Sequence, residues 1–264
     1  MDDSTKATLE TELRKGVLNY SQLGKLHGID RSTVRNYAKR LGIHPGNKYR
    51  LKTHSLDLTY FTCIDTSSKA YTLGFIYADG CNTRRGLQIG IQECDKDVLE
   101  FIQTELKVSN PLRYVKPYRA NWRPKYELEI RSMELSQQLT SLGCPPAKSK
   151  TLAFPTFLSF HLLPHFIRGY FDGDGSLTYN KGSWRISFTS ASKAFIEPLQ
   201  SYLTTQGISL NFYTNAKNGC YSLQSSKQTI VRKLITFLYT KPDFGMSRKK
   251  AAALMCMSSE KGER

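Results

Sequence analysis

Two Asp-Gly pairs end two similar decapeptides and are the clearest candidates for chemistry in the sequence. The decapeptides cover residues 71–80 and 166–175, and their aspartates, Asp79 and Asp174, are 174 − 79 = 95 residues apart. Each aspartate ends a predicted helix, where unpaired carbonyls already carry partial negative charge and disfavour a carboxylate. If two such ends lay side by side, a divalent cation such as Mg²⁺, which prefers oxygen ligands, would neutralise their negative charge. One Asp-Gly alone indicates only a turn, but two matched copies predict a metal site formed by Asp79 and Asp174.

The helices that carry these aspartates contain small residues four positions apart. Gly74 and Ala78 stand in the first decapeptide, and Gly169 and Gly173 stand in the second. Glycine inside a helix lowers helix stability by about 1 kcal/mol relative to alanine, so we expect packing to require glycine at these positions. A stripe of small residues lets another backbone approach closely, and we expect the two stripes to face each other. The glycine after each aspartate is expected to end its helix in the left-handed conformation.

From residue 67 onward the chain repeats one order of helices and strands. The first copy predicts helices and strands at 68–79, 87–92, 96–106, 112–118, 125–131 and 134–142. The second copy predicts them at 165–174, 184–189, 193–206, 210–214, 221–224 and 229–238. The strands follow from alternation, as in Leu87, Ile89 and Ile91. Two copies predict pseudo-twofold symmetry, with one apolar face of each sheet covered by helices and one polar face left open.

Residues 1–45 predict a separate helical unit with two short helices around Gly28. Ser21 and Asp30 are suited to cap these helices, and Gly28 suits the turn between them. This pattern is typical of a helix-turn-helix, whose second helix enters the major groove of DNA. Its outer face would present Arg31, Ser32, Thr33, Arg35, Asn36, Lys39 and Arg40. The alternative is a basic helical hairpin that simply faces solvent.

The composition indicates a polyanionic partner. Lys and Arg number 38 against 22 Asp and Glu, a formal charge of +16 over 264 residues. Such a field attracts nucleic acid. The longest apolar run, 251–257, is far shorter than the roughly 20 residues of a membrane span, and no signal peptide is recognisable behind Met1. We therefore expect a cytoplasmic protein without a membrane partner.

Other metal sites are not expected from the sequence. The six cysteines form no Cys-x-x-Cys pair, which argues against a zinc clip. The pair His161 and His165 surrounds Pro164 and is followed by no carboxylate at ligand spacing, so packing or a helix start is expected there. Residues 46–66, which include several basic side chains, are interpreted as a linker.

The paired decapeptides resemble the two motifs of the single-chain LAGLIDADG homing endonucleases, and the resemblance extends from about Ala70 to the C-terminus. It implies an α+β fold of two αββαββα halves, 67–155 and 156–264, whose motif helices meet and whose saddle-shaped antiparallel sheets grip DNA. The implied activity is Mg²⁺-dependent double-strand cleavage of a long site, with Mn²⁺ as a substitute and the metal held by Asp79 and Asp174. Tyr77 departs from the acid common at its position, whereas Asp172 keeps one.

The resemblance also implies a basic residue late in each half. Lys148 matches this position in the first half, with Lys150 close to it, and Lys249 or Lys250 matches it in the second. The polar sheet faces become candidates for groove recognition through Arg85, Gln88, Gln92, Arg113, Lys116, Arg119, Arg123, Lys125, Arg185 and Lys217. A monomer bound to double-stranded DNA is expected.

Two other functions remain open from the sequence. The first is a transcription regulator that keeps this scaffold but does not cleave DNA. The second is an intron RNA maturase, which the added helix-turn-helix disfavours. Both acids and the late lysines argue for the nuclease.

Overall fold

A computed structural model describes residues 2–15, 18–43, 54–119, 121–215, 219–240 and 244–259. The chain divides into two compact units, Met1–His54 and Ser55–Arg264. Lys217 and residues 46–53 of the predicted linker lie outside the described residues. No helix in the described ranges is long and apolar enough to cross a membrane.

The N-terminal unit contains three helices around a small apolar core. They are α1 (Asp3–Lys15), α2 (Tyr20–His27) and α3 (Arg31–Arg40). The core comprises Leu9, Leu13, Leu23, Val34 and Ala38. Gly28 ends α2 with φ of 63°, a left-handed conformation that glycine adopts readily. A Cβ on Gly24 would lie 2.6 Å from the carbonyl oxygen of Ile29, so the turn packs tightly on α2.

The caps of these helices differ from the prediction. Asn19, not Ser21, caps α2: its side chain accepts the backbone N–H groups of Ser21 and Gln22, and Gln22 completes a capping box. The helix therefore begins one residue before Ser21. Asp30 precedes α3 in an extended conformation, as predicted, but its side chain makes no capping hydrogen bond.

The second unit contains two copies of a helix–two strands–helix–two strands–helix order. The first copy comprises α4 (Ser67–Asp79), β1 (Gly80–Thr83), β2 (Gly86–Gln92), α5 (Lys96–Glu105), β3 (Arg113–Val115), β4 (Lys125–Ile130) and α6 (Met133–Ser141). The second comprises α7 (Leu163–Asp174), β5 (Gly175–Asn180), β6 (Ser183–Ser190), α8 (Lys193–Thr205), β7 (Asn211–Asn215), β8 (Cys220–Ser225) and α9 (Gln228–Tyr239), followed by α10 (Ser247–Ser258). The α+β fold class is thus confirmed.

Each copy forms its own four-stranded antiparallel sheet. The strand orders are β1-β2-β4-β3 and β5-β6-β8-β7. Register pairs Gln88 with Glu129 in the first sheet and Ser187 with Gln224 in the second. The inner face of β2 buries Leu87, Ile89 and Ile91 against helices, while Gln88, Gly90 and Gln92 are exposed. Each sheet therefore has one solvent-facing polar surface.

Three elements were not predicted from the alternation of residues. The strands β1 and β5 follow directly after the motif helices, and the helix α10 follows α9. Residues 55–66, placed in the linker by the sequence, belong to the second unit, where Tyr60 and Phe61 are 6% and 3% exposed. His161 lies in a helical turn at Phe160–Leu162 and His165 lies in α7.

Candidate active site

The two motif helices end in an aspartate and continue directly into a strand. Thr66 caps the start of α4 through the backbone N–H of Lys69, and Pro164 occupies the first turn of α7. Gly80 and Gly175 have φ of −74° and −85°, so the expected left-handed cap is wrong.

Close packing, not a left-handed turn, requires these two glycines. A Cβ on Gly80 would lie 2.6 Å from the Ile76 carbonyl oxygen. A Cβ on Gly175 would lie 2.5 Å from the Phe171 carbonyl oxygen. Each glycine therefore lets the chain leave its helix for the adjacent strand without a clash.

The backbones of α4 and α7 are in contact. A Cβ on Gly74 would lie 2.0 Å from the carbonyl oxygen of Phe166. The symmetry-related contact is the same, since a Cβ on Gly169 would lie 2.0 Å from the carbonyl oxygen of Tyr71. The two contacts are equivalent, because Gly74 corresponds to Gly169 and Tyr71 to Phe166 at the same offset of 95 residues, 169 − 74 and 166 − 71. The two helices therefore pack about a pseudo-twofold axis.

The same packing brings the helix ends together. A Cβ on Gly173 would lie 2.4 Å from Cβ of Ala78 and 3.3 Å from Oδ2 of Asp79. The structure therefore places the Asp79 carboxylate beside the C-terminal turn of the helix that carries Asp174.

The two carboxylates influence each other electrostatically. Burial raises the pKa of Asp79 to about 6, and the negative charge of Asp174 adds to the rise. Desolvation also raises the pKa of Asp174, although the charge of Lys148 opposes it. Asp79 is partly buried and Asp174 is more exposed. Two acids held this way carry negative charge that a cation would neutralise.

Two buried lysines reach these helix ends. Lys148 is 8% exposed, and its Nζ donates to the carbonyl oxygen of Ala78 at 3.2 Å. Lys249 is 6% exposed, and its Nζ donates to the carbonyl oxygens of Phe171, Asp172 and Gly175 at 2.5, 2.8 and 2.6 Å. Burial lowers the pKa of Lys249 to about 8. Both ammonium groups oppose the partial negative charge of a helix C-terminus.

The lysines act across the two halves and differ in their hydrogen bonds. Lys249 lowers the pKa of Asp79 more than Lys148 does, while Lys148 has the larger effect on Asp174. All three N–H groups of Lys249 are matched by carbonyl acceptors, whereas Lys148 has one carbonyl acceptor among the described residues. Among the described residues, Lys148 therefore keeps more unused donor capacity than Lys249.

The neighbouring lysines are placed differently. Lys150 is exposed at the end of the helical turn Lys148–Lys150, while Lys148 lines a cleft with Asp174, Tyr170 and Ser190. Lys250 is less buried than Lys249. Of the alternatives left open by the sequence, Lys148 and Lys249 are thus the buried ones, and each donates to a carbonyl oxygen at a helix end.

Asp172 has a different environment from the two paired acids. Its carboxylate is 1% exposed and accepts hydrogen bonds from the Tyr71 hydroxyl at 2.7 Å, the Tyr239 hydroxyl, and the Met246 backbone N–H at 3.1 Å. Desolvation raises its pKa. Asp172 is therefore part of the helix interface, and its three donors could not be found from the motif alone. Tyr77, at the corresponding position of the first half, donates to the Leu142 carbonyl oxygen.

The donor set suits a hard divalent cation. Asp79 and Asp174 supply carboxylate oxygens, which are ligands that Mg²⁺ accepts. Within the described residues, no group of three or more His, Cys, Asp or Glu side chains could hold a metal ion. Protein ligands from these two acids would therefore be completed by water or by oxygens of a bound phosphate.

A polar surface extends from the acids over the first sheet. A groove beside Asp79 is lined by Cys81, Gln88, Ile89, Gly90, Arg113, Lys125 and Glu127. The nine described candidates for groove recognition are all exposed: Arg85, Gln88, Gln92, Arg113, Lys116, Arg119, Arg123, Lys125 and Arg185. Glu127 forms ion pairs with Arg113 and Lys125. Seven of these nine side chains are basic, and Arg185 is the one that lies on the second sheet.

In the N-terminal unit, the predicted DNA-contacting residues share one exposed face. Val34 and Ala38 point into the core of the unit. All seven candidates are exposed on α3: Arg31, Ser32, Thr33, Arg35, Asn36, Lys39 and Arg40. The face therefore combines four cations with three small polar side chains.

Comparisons with known proteins agree with the resemblance seen in the sequence. The sequence model of the LAGLIDADG-like domain matches residues 163–236. No curated protein gives a significant sequence match.

Solved structures with a similar fold include variants of the homing endonuclease I-DmoI, at 17% identity and a TM-score of 0.48, with 75% of this chain and 99% of that chain covered. The meganuclease I-SmaMI bound to DNA has 13% identity and a TM-score of 0.47, with 74% and 88% covered. DUF199/WhiA from Thermatoga maritima has 13% identity and a TM-score of 0.49, with 78% and 66% covered. Residues 163–236 thus match the LAGLIDADG-like domain, and the resemblance is confirmed for the second decapeptide, 166–175, which lies in that range.

Proposed function

We propose that this chain is a site-specific DNA endonuclease that makes a metal-dependent double-strand break in a long recognition site, as homing endonucleases do. The observation that carries the proposal is the pair of carboxylates, Asp79 and Asp174, at the ends of two helices whose backbones touch. A buried lysine reaches each helix end. Such an arrangement concentrates opposite charges where a phosphodiester can be bound.

The aspartates are proposed to hold Mg²⁺, with Mn²⁺ as a substitute. When bound, the metal supplies Lewis-acid activation of water and neutralisation of the leaving oxygen. Asp79 and Asp174 provide ligands from both halves, so that one centre can serve two strands. Burial raises the pKa of both carboxyls, and the charge of Asp174 adds to the rise at Asp79; a bound cation would favour the ionised form of each.

The lysines are proposed to stabilise negative charge on the phosphate during cleavage. Lys148 has N–H donors to offer beyond its single carbonyl acceptor and lies in the cleft with Asp174. It can donate directly to a phosphate oxygen, which is an effective way to stabilise a developing charge. Lys249 acts at longer range by fixing the end of α7 and by its charge on Asp79.

DNA is proposed to lie against the polar faces of both sheets. The groove beside Asp79 continues onto exposed Gln88, Arg113 and Lys125, which can bind base edges and phosphates. The N-terminal unit is proposed as a helix-turn-helix whose helix α3 reads further bases in a major groove. We further propose a monomer, because the two halves already supply both acids.

The experiment is a selection of cleaved sites from a randomised DNA library. The purified full-length chain is incubated with the library in Mg²⁺ and, in parallel, in EDTA, and new ends are sequenced. A single family of long sites cut on both strands only in Mg²⁺ would support the proposal. Sites bound in EDTA but never cut in Mg²⁺ or Mn²⁺ would instead favour the non-cleaving regulator. Tighter binding to intron RNA than to any selected DNA would favour the maturase.

A further inference from the structure

The three residues directly before Lys249 each bond to a different aspartate. The contacts are Met246 N–H to Asp172 Oδ2 at 3.1 Å, Ser247 N–H to Asp97 Oδ2 at 2.8 Å, and Arg248 Nε and Nη2 to Asp95 Oδ1 and Oδ2 at 2.8 Å each. The first aspartate is on α7, whereas the other two lie at the start of α5 in the first half. The start of α10 is therefore held to both halves of the unit.

The contact between Arg248 and Asp95 is the strongest of the three. It is bidentate and charge-assisted, which is the favourable geometry for an arginine and a carboxylate. Asp95 is 3% exposed, so its charge is largely removed from water. Exposed ion pairs contribute little, but loss of the partner of a buried carboxylate is strongly unfavourable.

Lys249, the next residue, depends on this placement. Its Nζ donates to three carbonyl oxygens around the end of α7, including that of Gly175, the residue after Asp174. The ammonium group keeps these three hydrogen bonds only while the start of α10 stays close to the end of α7, because all three acceptors lie there. The negative charge of Asp95 also favours the protonated form of Lys249.

The corresponding position in the other half has no ion pair. Ser192 precedes α8 as Asp95 precedes α5, and its hydroxyl donates to the carbonyl oxygen of Leu152 at 2.5 Å. Phe154 N–H donates to the carbonyl oxygen of Ala194 at 3.4 Å. In the described part of the chain, the segment that follows Lys148 is thus held by these neutral hydrogen bonds, whereas an ion pair forms beside Lys249.

We propose that Asp95 and Arg248 are positioning residues: their ion pair, formed between the two halves, holds Lys249 against the carbonyl oxygens at the end of α7 and thereby fixes Asp174. Neither residue touches the reacting atoms. The effect on DNA cleavage rests on the proposed function, whereas the effect on Lys249 does not.

The first test measures the accessibility of Lys249 without DNA. The full-length protein is labelled with sulfo-NHS-acetate, and the labelling rate of each lysine is measured by mass spectrometry. Asp95→Asn keeps the side-chain shape and should raise the labelling rate of Lys249 by about threefold or more, because local opening exposes it. Lys148 should be unchanged. Glu100→Gln is the matched control, since Glu100 on the same helix α5 pairs with Lys96 at the surface.

The second test measures cleavage of each strand of a site recovered from the library selection. Asp95→Asn and Arg248→Gln should slow one strand by about tenfold more than the other, so that nicked product accumulates, while DNA affinity stays within about threefold of wild type. The difference between the strands in Arg248→Lys should lie between that of the wild type and that of Arg248→Gln. Lysine keeps the charge but loses the bidentate geometry.

The two tests separate failure of this proposal from failure of the proposed function. If Lys249 labels in Asp95→Asn as slowly as in the wild type, the positioning role is refuted, whatever the cleavage result. If the wild type cuts no DNA but Lys249 labelling rises, positioning stands and the nuclease proposal fails. Equal slowing of both strands with unchanged labelling would also overturn the positioning role.

Discussion

At the residue scale, Asp79 is the group with the clearest electrostatic consequence. Its pKa is raised from 3.8 to about 6, first by burial and then by the charge of Asp174. A raised carboxylate pKa stabilises the folded state below the unfolded-state pKa, and this contribution is lost as pH rises through the folded-state pKa. Near neutral pH, where Asp79 is ionised, its burial therefore lowers the free energy of unfolding.

Replacing this carboxylate should stabilise the protein. Without divalent cations at pH 7.5, Asp79→Asn should increase the free energy of unfolding by about 2 kcal/mol, a figure reduced from the full two-unit shift because Asp79 is partly solvated. The gain should disappear as pH falls from about 6 to about 4. Urea unfolding of both proteins at a series of pH values measures it, and added Mg²⁺ should stabilise only the wild type.

Asp57 provides a control of opposite sign. Hydrogen bonds from Thr59 and Lys107 lower its pKa to about 2. Its stabilising contribution is present above the unfolded-state pKa and is lost as pH falls through about 2, so Asp57→Asn should destabilise at pH 7.5. A destabilised Asp79→Asn at the same pH would contradict the strained-carboxylate interpretation.

The sequence identified the paired acids because matched motifs 95 residues apart are visible without coordinates. It could not separate Lys148 from Lys150, since both stand in one basic run and only folding buries the first. Tyr71 and Tyr239, which donate to Asp172, are likewise far from it in the sequence, so the motif does not indicate them. Arg248 and Asp95 gave no signal, as a single charge in a basic segment does not indicate its partner.

At the scale of elements, the contact of α4 with α7 determines where both acids lie. Its closest approaches involve a glycine Cα and a backbone carbonyl, which cannot move independently of their helices. The site geometry therefore depends on residues that carry no functional group.

Alanine at either interface glycine should separate the helices. A Cβ on Gly74 or Gly169 would lie 2.0 Å from a backbone oxygen, so each substitution should cost about 2 kcal/mol or more through overpacking. Urea unfolding gives this difference directly. Gly90→Ala on β2 is the control, because its Cβ would meet only side-chain atoms at 3.5 Å or beyond; it should stay within about 0.5 kcal/mol of the wild type.

If Gly74→Ala and Gly169→Ala were as stable as the control, the close backbone contact would not exist in solution. Loss of stability in only one of them would contradict the pseudo-twofold packing, since the two contacts are equivalent.

Helices and strands with a clear periodic pattern of apolar side chains could be predicted from the sequence. Strands that form only because a neighbouring strand hydrogen-bonds to them could not. The alternation in β2, β4 and β6 reflects one buried and one exposed face. By contrast, β1 contains only Gly80–Thr83 and β5 is mostly exposed, so hydrogen bonding to β2 and β6 defines them. The left-handed caps were wrong because a glycine can also be required by close packing, which its sequence neighbours do not show.

At the scale of the whole molecule, the proposed function predicts that each of the two compact units contacts DNA. The chain has a net charge of +16, and exposed cations lie on a helix face of the first unit and on sheet faces of the second. Each surface is expected to neutralise several phosphates.

Removal of the N-terminal unit should weaken binding without abolishing cleavage. A chain lacking residues 1–54 should bind the selected site at least about tenfold more weakly, with a shorter footprint and a smaller salt dependence, because fewer counterions are released. Footprinting and binding at several salt concentrations measure these effects. The full-length double variant Arg31→Ala/Arg35→Ala should show the same direction of change. Complete loss of cleavage at saturating protein would contradict a modular role.

The central claim is that Asp79 and Asp174 together form one metal-dependent centre, and strand-resolved cleavage by Asp79→Asn and Asp174→Asn tests it most directly. With the selected site in Mg²⁺, each variant should lose at least about a thousandfold in cleavage rate on both strands while DNA affinity in Ca²⁺ stays within about tenfold of the wild type. Cleavage at the wild-type rate by either variant would contradict the account.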